Sequence, residues 1–124
     1  MLTYAAVAAG GAAGAIARYG LSRWVDGRLD SAFPYGTLSV NLLGSLAIGV
    51  LWALLDDRVV MSVELKRLLT VGLLGAFTTF STFSLDTVHL LQQAAYGKAL
   101  ANLLIGPMLC VAAAWLGIQL ARWL

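Results

Sequence analysis

The sequence predicts an all-α integral membrane protein of four transmembrane helices, the third of them broken in mid-membrane. Three observations point there. Of 124 residues, 60% are hydrophobic and 11% charged, whereas soluble domains carry about 25% charged residues. The mean hydropathy is +0.86. Four long apolar stretches alternate with short connections that hold most of the charge. Crossing about 30 Å of hydrocarbon at 1.5 Å per residue takes about 20 apolar residues, and each stretch is that long. No linker, low-complexity tract or internal repeat separates them, so residues 1–124 read as a single domain.

The first predicted helix runs from about Leu2 to Trp24. It lacks a basic n-region and is interrupted by Arg18, so it reads as a spanning helix rather than a cleaved signal peptide. Gly10 and Gly14 have the GxxxG spacing that lets helix backbones approach closely. Arg18 is the only charge before Arg23. About one turn from the expected loop, it reads equally as a snorkelling anchor and as an anion-attracting vestibule residue.

The second helix is expected over about 35–55, after the turn signal Pro34-Tyr35-Gly36. Asn41 is its one strongly polar interior side chain, with Gly44 and Ser45 following at i+3 and i+4. It has two readings: a hydrogen bond to a neighbouring helix, or an amide lining a pathway.

The third helix, about 68–91, contains Gly72, Gly75, Thr78, Thr79, Ser81, Thr82 and Ser84 within thirteen positions. Glycine and β-branched threonine disfavour continuous helix. A break at membrane depth survives only where its freed backbone is buried in protein or lines water, and freed carbonyls can hold a cation. Phe80 and Phe83, spaced i, i+3, share a helix face. An aromatic ring has a positive edge, so these phenylalanines among hydroxyl donors suit a small anion as well as simple packing. The fourth helix is expected over about 99–123, with Pro107 predicted to kink or locally open it.

Composition also excludes several functions. A net charge of +2 is too small and scattered for a nucleic-acid surface. A single cysteine, Cys110, forms no internal disulfide, and a single histidine, His89, gives no zinc cluster. No nucleophile–base pair or metal constellation marks an enzyme. Cys110 reads as a small buried hydrophobe, and His89 as a solvated or interfacial residue. Trp24, Trp52 and Trp123 sit where an interfacial aromatic belt, facing lipid, is expected. Asp86 receives no role from the sequence.

With four crossings, Arg58, Lys66, Arg67 and Arg122 fall on one side, and Arg18, Arg23, Arg28 and Lys98 on the other. Four against four sets no orientation under the positive-inside rule. An antiparallel, dual-topology homodimer is one consequence.

Residues 75–84, Gly-Ala-Phe-Thr-Thr-Phe-Ser-Thr-Phe-Ser, resemble the GGxTTFSTFS signature of the Fluc (CrcB-type) fluoride channel family. Gly36 to Gly44 is similar to that family's GTLxVNxxG motif, and Gly10 to Tyr19 to its GGxxGAxxRY motif. The resemblance covers all four helices. It implies a dual-topology homodimer with two pathways that lets fluoride leave the cytoplasm passively and relieves its toxicity. That places the chain in a bacterial inner membrane. Carried over by motif, Phe80 and Phe83 would be the pore phenylalanines and Asn41 a pore donor, with Ser81 and Thr82 in a polar track. The carbonyls of Gly75 and Thr78 would bind a structural sodium ion shared with the second subunit, and Arg18 would stand near a vestibule. The chain departs from the pattern at Ala76, where relatives carry a second glycine. It departs again on the fourth helix, where Asn102, Gly106 and Cys110 occupy a face that commonly offers tyrosine and serine hydroxyls; Asn102 is the candidate pathway residue there. The rival reading is a small proton-coupled cation or multidrug exporter. Such exporters need an acidic residue in the first helix, and this one has none before Asp26.

Overall fold

A computed structural model describes residues 1–57 and 60–123. Arg58, one charge in the orientation count, lies outside the described residues. The architecture is helical, with no strand among the described residues: α1 (Leu2–Leu29), α2 (Tyr35–Asp57), α3 (Val63–Arg67), a π-helical stretch (Leu68–Leu74), α4 (Gly75–Phe77), α5 (Phe80–Gln92) and α6 (Tyr96–Trp123). The segments from Val63 to Gln92 form one bent unit. That unit, α2 and α6 are each long and apolar enough to cross a membrane. The protein is a multi-pass integral membrane protein. Of the four expected spans, α1 is the one that falls short in apolarity. It has 28 residues, but alanine and glycine supply most of its apolar character and Arg18 lies within it.

α1 runs past its predicted end at Trp24. Arg28 stacks over the Trp24 ring at 4.3 Å and Arg23 over Tyr19 at 5.7 Å, so i, i+4 cation–π pairs support the last turns. The helix stops at Asp30, whose φ of 27° is outside the helical range; aspartate tolerates that region better than most residues. Asp26 Oδ1 accepts the Gly36 N–H at 2.7 Å, which caps the N-terminal turn of α2 from another helix. α3 is capped by Ser62, whose hydroxyl accepts the Leu65 N–H at 3.2 Å; the unit therefore starts at Val63, five residues before the predicted Leu68. Pro107 removes one backbone donor from α6, yet the helix is continuous from Tyr96 to Trp123. The predicted local opening does not occur.

Two seams of small residues hold the bundle together. α1 lies against the π-helical stretch so closely that a Cβ on Gly10 would sit 2.9 Å from Leu73 N. A Cβ on Gly72 would sit 2.7 Å from the Val7 carbonyl oxygen. α2 meets α6 in the same way, with Gly49 against Ala114 and Gly117 against Leu46 and Val50. In lipid there is no hydrophobic force between helices, so this close van der Waals approach supplies the association. The largest fully buried side chains are Leu90, Val40 and Asn102. Large apolar side chains such as Ile16, Leu103, Met108 and Trp115 face outward, as expected where the surroundings are lipid or another membrane chain.

Candidate functional site

The site is organised by the break between α4 and α5. Thr78 (φ −84°, ψ 157°) and Thr79 (φ −152°, ψ 113°) are extended, as their β-branched side chains favour. In a continuous helix the Thr79 N–H would bond the Gly75 carbonyl. Here it turns to Asn41 Oδ1 at 2.7 Å. The Asn41 amide returns one N–H to the Thr79 carbonyl at 3.0 Å, so a single side chain grips both backbone polar groups of Thr79. The Ala76 carbonyl, which loses Phe80 N–H as its helical partner, accepts from Arg18 Nε at 3.1 Å. Freed backbone groups inside a membrane must be satisfied, and α1 and α2 each send one side chain to do it.

Arg18 is therefore not one turn from a loop. α1 continues from Tyr19 to Leu29 beyond it, and its guanidinium is a part-buried brace of the break. Of the two readings of Asn41, the hydrogen bond to a neighbouring helix is made, and Asn41 is also among the residues lining an open cavity of about 450 Å³. Phe80, Phe83, Asn102 and Cys110 line the same cavity. Gly44 on α2 makes room for the break: a Cβ there would reach 3.2 Å from the Phe77 ring and closer still to the Thr78 methyl.

The two phenylalanines are neighbours, with ring centroids 5.3 Å apart and planes inclined by 37°. Their surroundings differ sharply. Phe83 is 8% exposed and Phe80 77% exposed. The Thr79 hydroxyl is a hub that sequence reasoning passed over. It caps α5 by accepting the Thr82 N–H at 3.1 Å, donates to Thr82 Oγ1 at 2.9 Å and lies 3.3 Å from Ser81 Oγ. Threonine is among the preferred N-cap residues.

Thr82 in turn lines a second, more polar cavity of about 330 Å³ with Thr37, Asp86 and His89. Asp86 Oδ2 accepts from Thr37 Oγ1 at 2.6 Å, which gives the aspartate a partner on α2. The Thr79–Thr82 hydroxyl contact thus joins the two cavities. One amide hydrogen of Asn102 is committed within the bundle. Its Nδ2 donates to Thr87 Oγ1 at 2.8 Å. No cluster of three or more His, Cys, Asp or Glu that could hold a metal occurs among the described residues.

Residues 5–118 match the family model described as CrcB-like protein, Camphor Resistance. A protein of Magnetococcus marinus named fluoride-specific ion channel FluC is 54% identical over 116 residues, covering 94% of each chain. The protein of the same name from Aeromonas salmonicida is 50% identical over 120 residues, covering 97% of this chain and 96% of that one. The Geobacter metallireducens protein, also named fluoride-specific ion channel FluC, is 44% identical over 124 residues and the full length of both. These relatives are named as channels rather than enzymes, and this chain is not an enzyme. A family match over nearly the whole chain, on a bundle whose third unit breaks within the matching motif, makes it a member of the CrcB-like membrane protein family.

Proposed function

We propose that the chain is a fluoride-selective channel that lets fluoride leave a bacterial cytoplasm passively through the inner membrane. The observation that carries this reading is the break at Thr78–Thr79. It brings Asn41, Thr78, Thr79 and two phenylalanine rings to one cavity in an otherwise apolar span, with the Thr82 hydroxyl bonded to that of Thr79. Fluoride is small and strongly hydrated, so its water must be replaced by donors and positive ring edges. The second N–H of Asn41, the hydroxyls of Ser81 and Thr82, and the edges of Phe80 and Phe83 supply that replacement. Asn102 borders the same route.

One chain is half of the pathway. The 77% exposure of Phe80 and the open cavity beside it favour a second copy that covers them. α1 is the fourth span, and the nearly balanced flanking charges, four against three once Arg18 is placed inside the bundle, favour an antiparallel pair. The Gly75 and Thr78 carbonyls suit a structural sodium ion on the axis between the copies. Gly75 O has lost its helical donor to Asn41, and the extended ψ of Thr78 turns its carbonyl away from the helix direction. Two oxygens per chain are too few for a hard cation, so each copy contributes two. When bound, the ion would offset the carbonyl dipoles and tie the two broken helices together.

The test is efflux from liposomes holding the purified protein, followed with fluoride and chloride electrodes. Fast fluoride loss with chloride retained is expected; retention of both by a dimeric preparation would overturn the reading. Phe80→Ile and Phe83→Ile should each lower fluoride flux by about tenfold or more while the dimer persists, because a branched alkyl group has no polarised edge. Normal flux in both would remove the rings from the route. Single cysteines introduced at Ser62 should be labelled from both sides of intact cells by a membrane-impermeant reagent. Labelling from one side alone would exclude dual topology.

A further inference from the structure

Asn102 and Thr87 form a buried chain that ends on the backbone of Phe83. Asn102 Nδ2 donates to Thr87 Oγ1 at 2.8 Å, and Thr87 Oγ1 donates to the Phe83 carbonyl at 2.8 Å. Asn102 is 2% exposed, Thr87 4% and Phe83 8%. No other hydrogen bond between side chains joins α5 to α6 among the described residues. The Phe83 ring also lies beside α6, since a Cβ on Gly106 would be 3.7 Å from Phe83 Cε2 and 3.8 Å from Asn102 Oδ1.

We infer that Thr87, anchored by Asn102, is a positioning residue that fixes the Phe83 ring against α6 by holding its backbone. The inference rests on the channel reading for its consequence, but its geometry stands apart from it. α5 begins at a break, so nothing continuous with α4 sets its rotation about its own axis. Phe80 faces outward and Phe83 inward, about 60° apart around the helix, so the rotation of α5 decides which ring is buried. The Asn41 grip on Thr79 fixes the start of the helix, the Thr37–Asp86 bond ties it to α2, and the Thr87–Asn102 bond ties it to α6 nearly two turns after the break. The last of these reaches the Phe83 backbone through the Thr87 hydroxyl. Asn102 thereby acts on the pathway through Thr87, to which one of its two amide hydrogens is committed.

Three variants separate this role from ordinary packing. Asn102→Leu leaves the Thr87 hydroxyl on the Phe83 carbonyl and buries no new donor. Thr87→Val with Asn102→Leu removes both partners at nearly constant shape, a change that is close to neutral for folding. Thr87→Ser keeps the hydroxyl. Protein labelled with 4-fluorophenylalanine reports the Phe83 environment by fluorine NMR, the line being assigned by its loss in Phe83→Leu. In Asn102→Leu and in the double variant that line should move or broaden while the Phe33 line stays. Fluoride flux through dimeric protein should fall by about tenfold, the scale of effect that slight misplacement of reacting or binding groups produces. Thr87→Ser should keep both the line and the flux. An unmoved Phe83 line in the two Asn102 variants overturns the inference, whatever the flux does, because loss of flux alone would mean that Asn102 meets the ion directly. A displaced line in protein whose unmodified form passes no fluoride would uphold the positioning role and overturn the channel reading instead.

Discussion

Asn41→Asp is expected to stop fluoride flux while leaving the bundle assembled. Asn41 accepts from the Thr79 N–H and donates to the Thr79 carbonyl. An aspartate keeps the acceptor but turns its second oxygen toward the Thr79 carbonyl, with no proton between them. It also places a negative charge on the wall of the cavity that holds Phe80 and Phe83. Two like charges 4 Å apart repel by about 4 kcal/mol at an effective dielectric of about 20. That energy corresponds to about a thousandfold lower occupancy. Liposome efflux measures the outcome, with the elution volume of the purified protein reporting assembly. Undiminished flux from a correctly assembled Asn41→Asp protein would place the ion's route elsewhere and leave Asn41 as a brace of the break alone.

Gly14→Val should have the largest effect on stability. A Cβ at position 14 would be driven into the Leu73 carbonyl oxygen, with Leu73 C 3.0 Å and Leu73 Cα 3.1 Å away. The obstacle is backbone rather than a flexible side chain, so α1 itself must move. Overpacking costs about 1–3 kcal/mol where neighbours can adjust, and here the upper end of that range, about 3 kcal/mol, is expected. The neighbouring Gly11 provides the contrast, because a Cβ there meets nothing of its own chain within 4 Å. Gly11→Ala should leave the melting temperature unchanged or raise it, since alanine is the better helix former by about 1 kcal/mol. Thermal melting in detergent distinguishes the two. Equal melting temperatures would show that the α1 seam does not hold the fold. Because Arg18 reaches Ala76 from the same helix, displacement of α1 should reduce fluoride flux as well.

Much of the architecture was legible in the chain. Helices at 35–55 and 99–123 follow from apolar length alone, and the structure extends them by a few residues to Tyr35–Asp57 and Tyr96–Trp123. Glycine and threonine content placed the break within residues 72–84, since both residue types disfavour helix locally. The ends of α1 and α3 were less legible. Cation–π pairs on α1 and the Ser62 cap on α3 carry helix into stretches whose charge marks them as connections. Apolarity finds the part of a helix that lies in lipid; hydrogen bonding and pairing decide where it stops. α1 shows the converse, a helix of ample length whose alanines and glycines give it a weak hydropathy signal.

The site divides along the same line. Asn41, Phe80 and Phe83 stand out by type, being an amide and two rings at helical spacing in an apolar chain. Thr37, Thr79 and Thr87 do not, because a threonine in a membrane helix can bond its own backbone and needs no distant partner.

The sequence by itself determined that the chain crosses a membrane repeatedly, that its third unit breaks, and which residue types stand at the break. These follow from composition and local propensity, which act over a few residues. Only the tertiary structure decided that Asn41 grips Thr79, that Arg18 braces Ala76, that Thr37 holds Asp86, and that Asn102 reaches Phe83 through Thr87. Each is a hydrogen bond made or relayed between helices. Its existence depends on the rotation and separation of two elements, which the seams of Gly10, Gly14, Gly49, Gly72 and Gly117 fix and which no local pattern encodes.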